Sequence, residues 1–595
     1  MSQINYERGH SLEDGPSHAN SPIAYPPSSP SPAYLPATHY SSEKDVYNPI
    51  DLDTARETDT QYEYSPSGHK IEPLDAERTI GDATDASDAG DASKSGSQRA
   101  AYTPKELVMI ISALAVVLFL AMLDNTIVGT ALPQIASDFG RLDLINWVGL
   151  AYMLTSTAIQ PMYGRLADVF GRVEMLYFAI FIFEVGSAIC GAAQSMIMLI
   201  IGRAVAGIGG GGLMSLVIII VSDIVSLRDR GKYMGIIMSV FALSSVVGPL
   251  LGGAFTDAGH GGWRWGFYLN LFVGPFGVAV VWWKLKLPRP KGNIREKLGK
   301  IDYLGAFFLV SGLICFLLAM TWGGRDYPWN SAQVIALLVV GIVLLAIFVY
   351  VELKVAKIPL IPLRLFAVRN CAFSFIQGSM VMFGLYSIAY FGPVYFQVVR
   401  DSSATSSGLR LLPFMLGSSF VSVIMGAIIS KTGVYVPYLS ISPAVMAVGI
   451  GLVSTWTETT SNGKLIGYLL IGGMGMGIGM ASVTLACQTS VPQSDMANVT
   501  SLLQFLRSLG GIIGLAVQST VLNNELSSHL SPELAKIASQ SQTTIRMQPK
   551  EIADEIISAY VSSLHTMYIV TVPFVVLGFL AALFIRHVPL RKTID

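Results

Sequence analysis

The sequence predicts an all-α polytopic membrane protein with fourteen transmembrane helices. Three observations lead there. Hydrophobic residues make up 52% of the 595-residue chain and charged residues only 13%, about half the ~25% of a soluble domain. Apolar runs able to cross about 30 Å of hydrocarbon, each needing roughly 20 residues, recur from Leu107 onward. Basic residues gather in alternate loops between those runs, as on the cytoplasmic side of membrane proteins. Together they exclude a soluble enzyme, a nucleic-acid binder and a disulfide-built secreted domain.

Residues 1–100 are rich in Ser, Pro, Tyr, Asp and Gly. They carry 17 acidic against 7 basic residues, a charge of −10, which leaves +9 for residues 101–595. Such a stretch cannot bury enough apolar surface to offset its ordering entropy, so it is expected to be a disordered cytoplasmic tail. No short apolar stretch follows a basic start, so the first spanning helix is expected to serve as the insertion signal. The runs then fall at approximately 107–130, 144–163, 175–194, 196–221, 233–255, 265–287, 302–322, 332–352, 372–396, 408–430, 436–456, 464–487, 498–521 and 565–586. The 464–487 run is Gly- and Met-rich (GGMGMGIGM), which suits a tightly packed helix because small residues let backbones approach. Cys190, Cys315, Cys371 and Cys487 lie inside apolar runs without zinc spacing and read as packed free thiols.

Arg165 and Arg172 follow the second run, and Arg228, Arg230 and Lys232 the fourth. Seven Lys or Arg between 284 and 300 follow the sixth, and Lys354, Lys357, Arg364 and Arg369 the eighth. The short loops on the other side hold far fewer, which puts both termini in the cytosol and the polar segment 522–562 outside. An internal repeat agrees. GRLADVFGRV from Gly164 and GAIISKTGVY from Gly426, 262 residues on, both keep two glycines seven apart at a cytoplasmic turn. If runs 2 and 10 correspond, residues 101–288 (helices 1–6) and 356–595 (helices 9–14) form two parallel six-helix halves. Residues 289–355 then insert helices 7 and 8 between them.

Seven motifs occur in a fixed order. They are LDNTIVGTALPQI from Leu123, GRLADVFGR after the second run, GRAVAGIGGG in the fourth, SSVVGPLLGG from Ser244 in the fifth, WRWGFYLN after it, YFGPVYFQVVRDSSATSSGLRLLP from Tyr390, and LLQFLRSLGGIIG from Leu502. In these the chain resembles the major facilitator superfamily, in particular its fourteen-spanner drug:proton antiporter branch with the fungal toxin and multidrug efflux pumps. The likeness runs from about Leu107 to Arg591. It implies the major facilitator fold, in which two six-helix halves, here with two inserted helices, enclose a midplane cavity exposed alternately to each side.

The motif residues have physical reasons. Pro249 removes a helix hydrogen bond and bends its helix. Gly248 and Gly252, with Gly253 beside them, leave a smooth face expected to meet a helix of the other half, the plainer alternative being a generic Gly/Pro kink. In the gating loop after helix 2, Gly164 and Gly171 permit a tight turn. Asp168 can cap a helix or pair with Arg165 or Arg172 to hold the cytoplasmic side shut, unless the turn is merely solvated. Val169 and Val173 stand where the family usually has basic residues, which points to a weaker charge latch.

Charges inside apolar runs are the sharpest signals, because an unpartnered one costs several kcal/mol in lipid. Asp124 reads as a proton-coupling or substrate-binding carboxylate, or as a packed structural acid. Arg203 reads as the cation that tunes a carboxylate's proton affinity, or as a snorkelling structural arginine. Glu184 and Arg507 are further candidates, with interhelical pairing as the alternative. Asn125, Gln160, Gln377, Tyr386 and Gln504 can line a polar cavity or serve as helix–helix glue. Glu352, at the end of helix 8, reads as half of a surface ion pair. Asn498-Val499-Thr500 fits the glycosylation pattern, but at a cytoplasmic turn it is expected to stay unmodified.

The chain has no G-x-x-x-x-G-K-[ST] loop and no histidine cluster spaced for a metal. The reading is a transporter rather than an enzyme, without cofactor or metal, driven by the proton gradient and working as a monomer in the lipid bilayer. The resemblance implies inward protons exchanged for an amphipathic organic molecule such as a secondary metabolite, toxin or fungicide, at the plasma or the vacuolar membrane. A siderophore carrier or vacuolar basic amino-acid transporter of the same superfamily is an alternative. A non-transporting membrane sensor is another. A tag within 522–562 is expected to be reachable by antibody from outside intact cells, and one within 284–300 only after permeabilisation. The reverse pattern overturns the topology.

Overall fold

The computed structural model describes residues 102–590, apart from 142–143, 258, 260, 289, 291, 325–326, 539–544 and 546. The expected tail, residues 1–100, lies outside the described residues. Among the described residues the elements are helices, with one isolated bridge between Gly323 and Tyr327. The long ones are α1 (Pro104–Phe139), α2 (Ile145–Phe170), α3 (Arg172–Gly191), α4 (Met196–Ile224), α5 (Arg230–Asp257), α6 (Arg264–Lys284), α7 (Tyr303–Trp322), α8 (Ala332–Lys354), α9 (Arg369–Val394), α10 (Leu412–Thr432), α11 (Val436–Val453), α12 (Asn462–Gln488), α13 (Met496–His529) and α14 (Lys550–Leu583).

Among the described residues, thirteen helices are long and apolar enough to cross a membrane, where the sequence led us to expect fourteen spans. The difference is α2, which is 26 residues long but less apolar. Its polar residues Ser156, Thr157 and Gln160 are buried, because α2 packs between α4 and α13. A helix surrounded by protein does not need an apolar surface on every side.

Local signals mark the helix ends. At the start of α1, the Glu106 carboxylate accepts from the Thr103 N–H at 3.1 Å while the Thr103 hydroxyl accepts from the Glu106 N–H, and Pro104 occupies the first turn. Gly140 ends α1 in the left-handed region at φ 62°, as Gly433 ends α10 at φ 76°. Ser195, Asp302 and Ser331 cap α4, α7 and α8 through their side chains. Helix α9 runs on into a single π turn, Tyr395–Val399.

Helix α4 packs against α3 and α2, and α1 against α5 and α6; α12 packs against α10 and α11, and α9 against α13 and α14. Between α1–α6 and α9–α14 the most extensive contacts are α5 along α10 and α2 along α13, with smaller ones of α4 with α13 and α5 with α12. Helices α7 and α8 pair with each other, and α7 also touches α2 and α13. Phe272, Phe276 and Trp282 on α6 and Ile335, Val339 and Val343 on α8 are exposed, an apolar surface suited to lipid.

The α5–α10 contact is made by glycine backbones. A Cβ on Gly426 would run into the Gly231 carbonyl oxygen, and one on Gly235 would lie 2.7 Å from the Ser422 carbonyl oxygen. Gly248 and Gly252 differ from expectation: they face α1 rather than a helix of the other half. A Cβ at either would strike Thr126 or Thr130, and the Thr126 hydroxyl donates to the Ser244 carbonyl at 3.0 Å. Glycines four apart report only that some backbone comes close, and here that backbone is α1. Gly253 has nothing within 4 Å. Glu352 also differs. It is buried, and its Oε1 accepts from the Leu360 and Ile361 amides at 2.9 and 3.2 Å, because the linker after α8 folds back over the helix end. The four cysteines are free, with Cys315 half-buried and the others buried.

Gly426→Val is expected to force α5 and α10 apart, costing about 1–3 kcal/mol of stability. Gly451→Ala, on α11 with nothing within 4 Å, is expected to leave thermal unfolding in detergent almost unchanged. Equal melting temperatures for the two variants would remove the glycine seam from the account.

Candidate functional site

The best-connected buried polar cluster is centred on α4. Its glycines bring neighbouring backbones against it: a Cβ on Gly207 would meet the Tyr152 backbone, and one on Gly209 would meet Phe183 and Ala179. Arg203, one turn before Gly207, is thereby sealed in at 0% exposure, with no path along which to snorkel. It forms an ion pair with Asp124 of α1, which is 1% exposed. Its Nη2 donates to Asn125 Oδ1 at 3.0 Å and its Nε to the Val148 carbonyl of α2 at 3.1 Å. The guanidinium lies over the Tyr152 ring, 4.3 Å from its centroid. From the other side, Asn270 of α6 donates through Nδ2 to Asp124 Oδ1 at 3.2 Å and to Ser187 Oγ of α3 at 3.1 Å. One carboxylate is thus tied to α1, α4 and α6, with α2 and α3 a single bond further away.

A second cluster lies at the expected gating loop. Asp168 pairs with Arg172 at 2.8 Å and accepts from Asn498 Nδ2 of α13 at 2.9 Å. Arg172 also pairs with Asp223 at the end of α4 at 2.9 Å, and Asp223 accepts from Gln493 Nε2 at 3.2 Å. Gly164, expected in the turn, instead lies inside α2 with Arg165 and Asp168, because the helix runs on to Phe170; it lets Ala497 and Ser501 of α13 come close, and only Gly171, at φ 113°, makes the turn into α3. Val169 and Val173, in place of basic residues, are both buried. Nearby, Arg230 Nη1 donates to Gln488 Oε1 of α12 at 3.2 Å, and Arg228 donates to the Ser430 and Lys431 carbonyls in the last turn of α10 at 3.0 and 2.8 Å. The neighbouring ends of α2–α5 and of α10, α12 and α13 are therefore bonded together.

The Major Facilitator Superfamily model matches residues 114–515, more than half of the chain. The chain belongs to the major facilitator superfamily. Among curated relatives of this superfamily member are the efflux pump aunC of Aspergillus niger, 36% identical over 83% of this chain and 89% of that protein, and the efflux pump FUS6 of Gibberella moniliformis, 35% identical over 82% and 89%. The efflux pump dotC of Dothistroma septosporum is 36% identical over 82% and 86%. Among solved structures, the proton:xylose symporter XylE has a TM-score of 0.54 at 12% identity, covering 80% of this chain and 96% of that one. The human organic anion transporter MFSD10 has a TM-score of 0.53 at 15% identity, covering 81% and 100%. These two likenesses establish the fold. The protein is a multi-pass efflux transporter of the major facilitator superfamily that handles small molecules.

Of the remaining candidates of this superfamily member, Glu184 is within electrostatic reach of Asp124 without a bond to it, and the others lie on α2, α9 and α13 outside its hydrogen-bond network. Arg507 of α13 is buried, and its Nη1 and Nη2 donate to neutral groups, Gln504 Oε1 at 2.7 Å and the Met480 carbonyl of α12 at 3.2 Å. Gln377 and Ser442 line a small cavity beside it, with Gln377 Oε1 and Ser442 Oγ unpartnered. Gln160 of α2 accepts from the Ser508 hydroxyl of α13 at 3.1 Å, close to the level of Arg507. Tyr386 stacks on Tyr390, centroids 5.4 Å apart, and packs against Gly511. Glu184 stands outside the Asp124 network: its oxygens are buried without a hydrogen bond and lie against Gly274 of α6.

Sequence reasoning missed Asn270, Ser187 and Tyr152 in the first cluster and Asp223 and Gln493 in the second. An asparagine in the apolar helix after WRWG was the one available signal. Asn498, noted only for its glycosylation pattern, is a buried partner of Asp168.

Removing one partner of a buried pair costs about 3–5 kcal/mol because the other charge is left uncompensated. Arg203→Met is therefore expected to lower the unfolding temperature sharply, and Asp124→Asn combined with it to recover most of the loss. Additive losses in the double variant would show that the two side chains are not coupled.

Proposed function

We propose that this transporter exports amphipathic organic molecules, such as secondary metabolites, toxins or fungicides, in exchange for protons moving inward, with Asp124 as the carboxylate that takes up and releases the proton. One observation carries the reading: the only acid on α1 within the membrane is held between a fixed cation, Arg203, and a neutral donor, Asn270. Protonation removes the charge that Arg203 neutralises, so the ion pair dissolves while Arg203 keeps Asn125, Val148 and Tyr152. The grip of α1 on α4 therefore differs between the two protonation states, and a difference of that kind lets a proton shift the balance between two conformations.

The two six-helix halves, residues 101–288 and 356–595, rock about the α2–α13 and α5–α10 contacts. The Asp168–Arg172–Asp223 latch holds the cytoplasmic side closed in one of the two states. Gln160, Gln377, Tyr386, Gln504 and Arg507 supply the sparse polar groups of the substrate path. The protein works as a monomer in the plasma membrane with both termini in the cytosol, and carries out no covalent chemistry. The efflux-pump names of its relatives support the direction of transport.

Asp124→Asn keeps an acceptor oxygen for Arg203 and removes the titration. In proteoliposomes with an imposed pH gradient it is expected to abolish uphill accumulation of a fluorescent amphipathic dye, while downhill exchange of the dye persists. Uphill pumping at the wild-type rate would pass the role to Glu184 or to another site.

A further inference from the structure

We propose that the helix pair α7–α8 is a strap across the α2–α13 seam, in which Glu352 and Asp302 position Arg165 of the gating loop. The proposal rests on the alternating-access reading for its purpose, and on contacts at three levels for its geometry.

At mid-height, Leu154 of α2, Leu317 of α7 and Ile512 of α13 are buried in one apolar cluster, so α7 lies against both sides of the seam. At the outer end, Asn523 of α13 donates to the Gly324 carbonyl at 2.7 Å and Trp329 Nε1 donates to Thr520 Oγ1 at 2.8 Å. There too, Trp147 at the start of α2 meets Trp322 at the end of α7 edge-on, centroids 5.7 Å apart. The loop that follows α7 is thus held by α13, and the helix end by α2.

The cytoplasmic end carries charges. Asp302 caps α7 with Oδ1, at 2.8 Å from the Gly305 N–H, and its Oδ2 is buried without a partner. Glu352 uses Oε1 on the Leu360 and Ile361 amides, and its Oε2 is likewise buried and unpartnered. Glu352 lies within electrostatic reach of both Asp302 and Arg165. Arg165 Nε is itself buried without a hydrogen bond. The Arg165 guanidinium near the end of α2, which also attracts Asp168, therefore lies within electrostatic reach of the half-used Glu352 carboxylate, with Asp302 beside that acid on the inserted helices, where low exposure strengthens the attraction. The linker beyond Glu352 continues to the far side of the seam, where Arg364 pairs with Asp495 just before α13 at 2.9 Å.

Parting α2 from α13 at the outer end requires breaking Trp329–Thr520 and Asn523–Gly324 or Trp147–Trp322. Parting them at the inner end requires breaking Arg165 from its acids or Arg364 from Asp495. Weakening one end of the strap then loosens the seam at that end alone, which a helix pair merely filling lipid-facing space cannot do.

The test is hydrogen–deuterium exchange on the full chain in lipid nanodiscs. Glu352→Gln with Asp302→Asn keeps both capping oxygens and removes both charges. It is expected to speed exchange several-fold in residues 160–170 and 493–502, with no change in 145–150 and 518–527. Asn523→Ala with Trp329→Phe is expected to give the opposite pattern. Unchanged α2 and α13 exchange in both variants, or loosening confined to α7 and α8, overturns the strap. If the double acid variant unfolds, Glu352→Gln alone repeats the inner arm. The readout involves no transport, so a chain that exports nothing can still show the pattern, and failure of the efflux reading is seen separately in the flux assay.

Discussion

The bilayer interior offers no water, so a charge placed there must be answered by the protein itself. The Asp124–Arg203 pair is where this chain meets that requirement most fully. Arg203 spends its donors on a carboxylate, an amide oxygen and a backbone carbonyl, and covers its face with an aromatic ring. The Asp124 carboxylate takes a further donor from Asn270. Such a network tolerates few alternative arrangements, because each partner left over would be a buried polar group without a bond. It also sits at the meeting of α1, α4 and α6, so a change in its charge is felt by three helices together.

Burying these groups depends on how closely the helices approach. Glycines along α4, at Gly202, Gly207 and Gly209, bring α2 and α3 to backbone distance. With apolar matter on both sides of a lipid-facing helix, close packing and interhelical bonds supply the association energy that water would otherwise drive. The same logic recurs near the end of α2, where Gly164 brings α13 against α2 and allows Asn498 to reach Asp168.

Much of this was readable beforehand, and the unread parts have common causes. Runs of apolar residues located the helices, since crossing hydrocarbon imposes a length. Helix α2 was legible by its length and by the GRLADVFGR motif, although its polar residues leave it without a strongly apolar stretch. Asp124 and Arg203 announced themselves as charges in apolar surroundings, and their being neighbours was foreseeable from their opposite signs. Asn270 and Ser187 did not announce themselves, because amides and hydroxyls are ordinary in spanning helices. The Val148 carbonyl is backbone, which no side-chain pattern records. Gly248 and Gly252 signalled closeness correctly and the neighbour incorrectly, since glycine spacing names a face but not what covers it. Glu352 was misplaced because its surroundings come from a linker that folds back eight residues later.

The bare contact between Gly231 and Gly426 has a mechanical consequence. Most helix pairs interlock ridges of side chains into grooves, so tilting one against the other means lifting every tooth out of its slot. Where backbone rests on backbone there are no teeth. At the Gly231–Gly426 crossing no side chain stands between the two backbones, so resistance to tilting there comes from the bonds beside it, such as those of Arg228 to the Ser430 and Lys431 carbonyls. A branched residue there would cost more than stability: it would add to those bonds a set of preferred crossing angles.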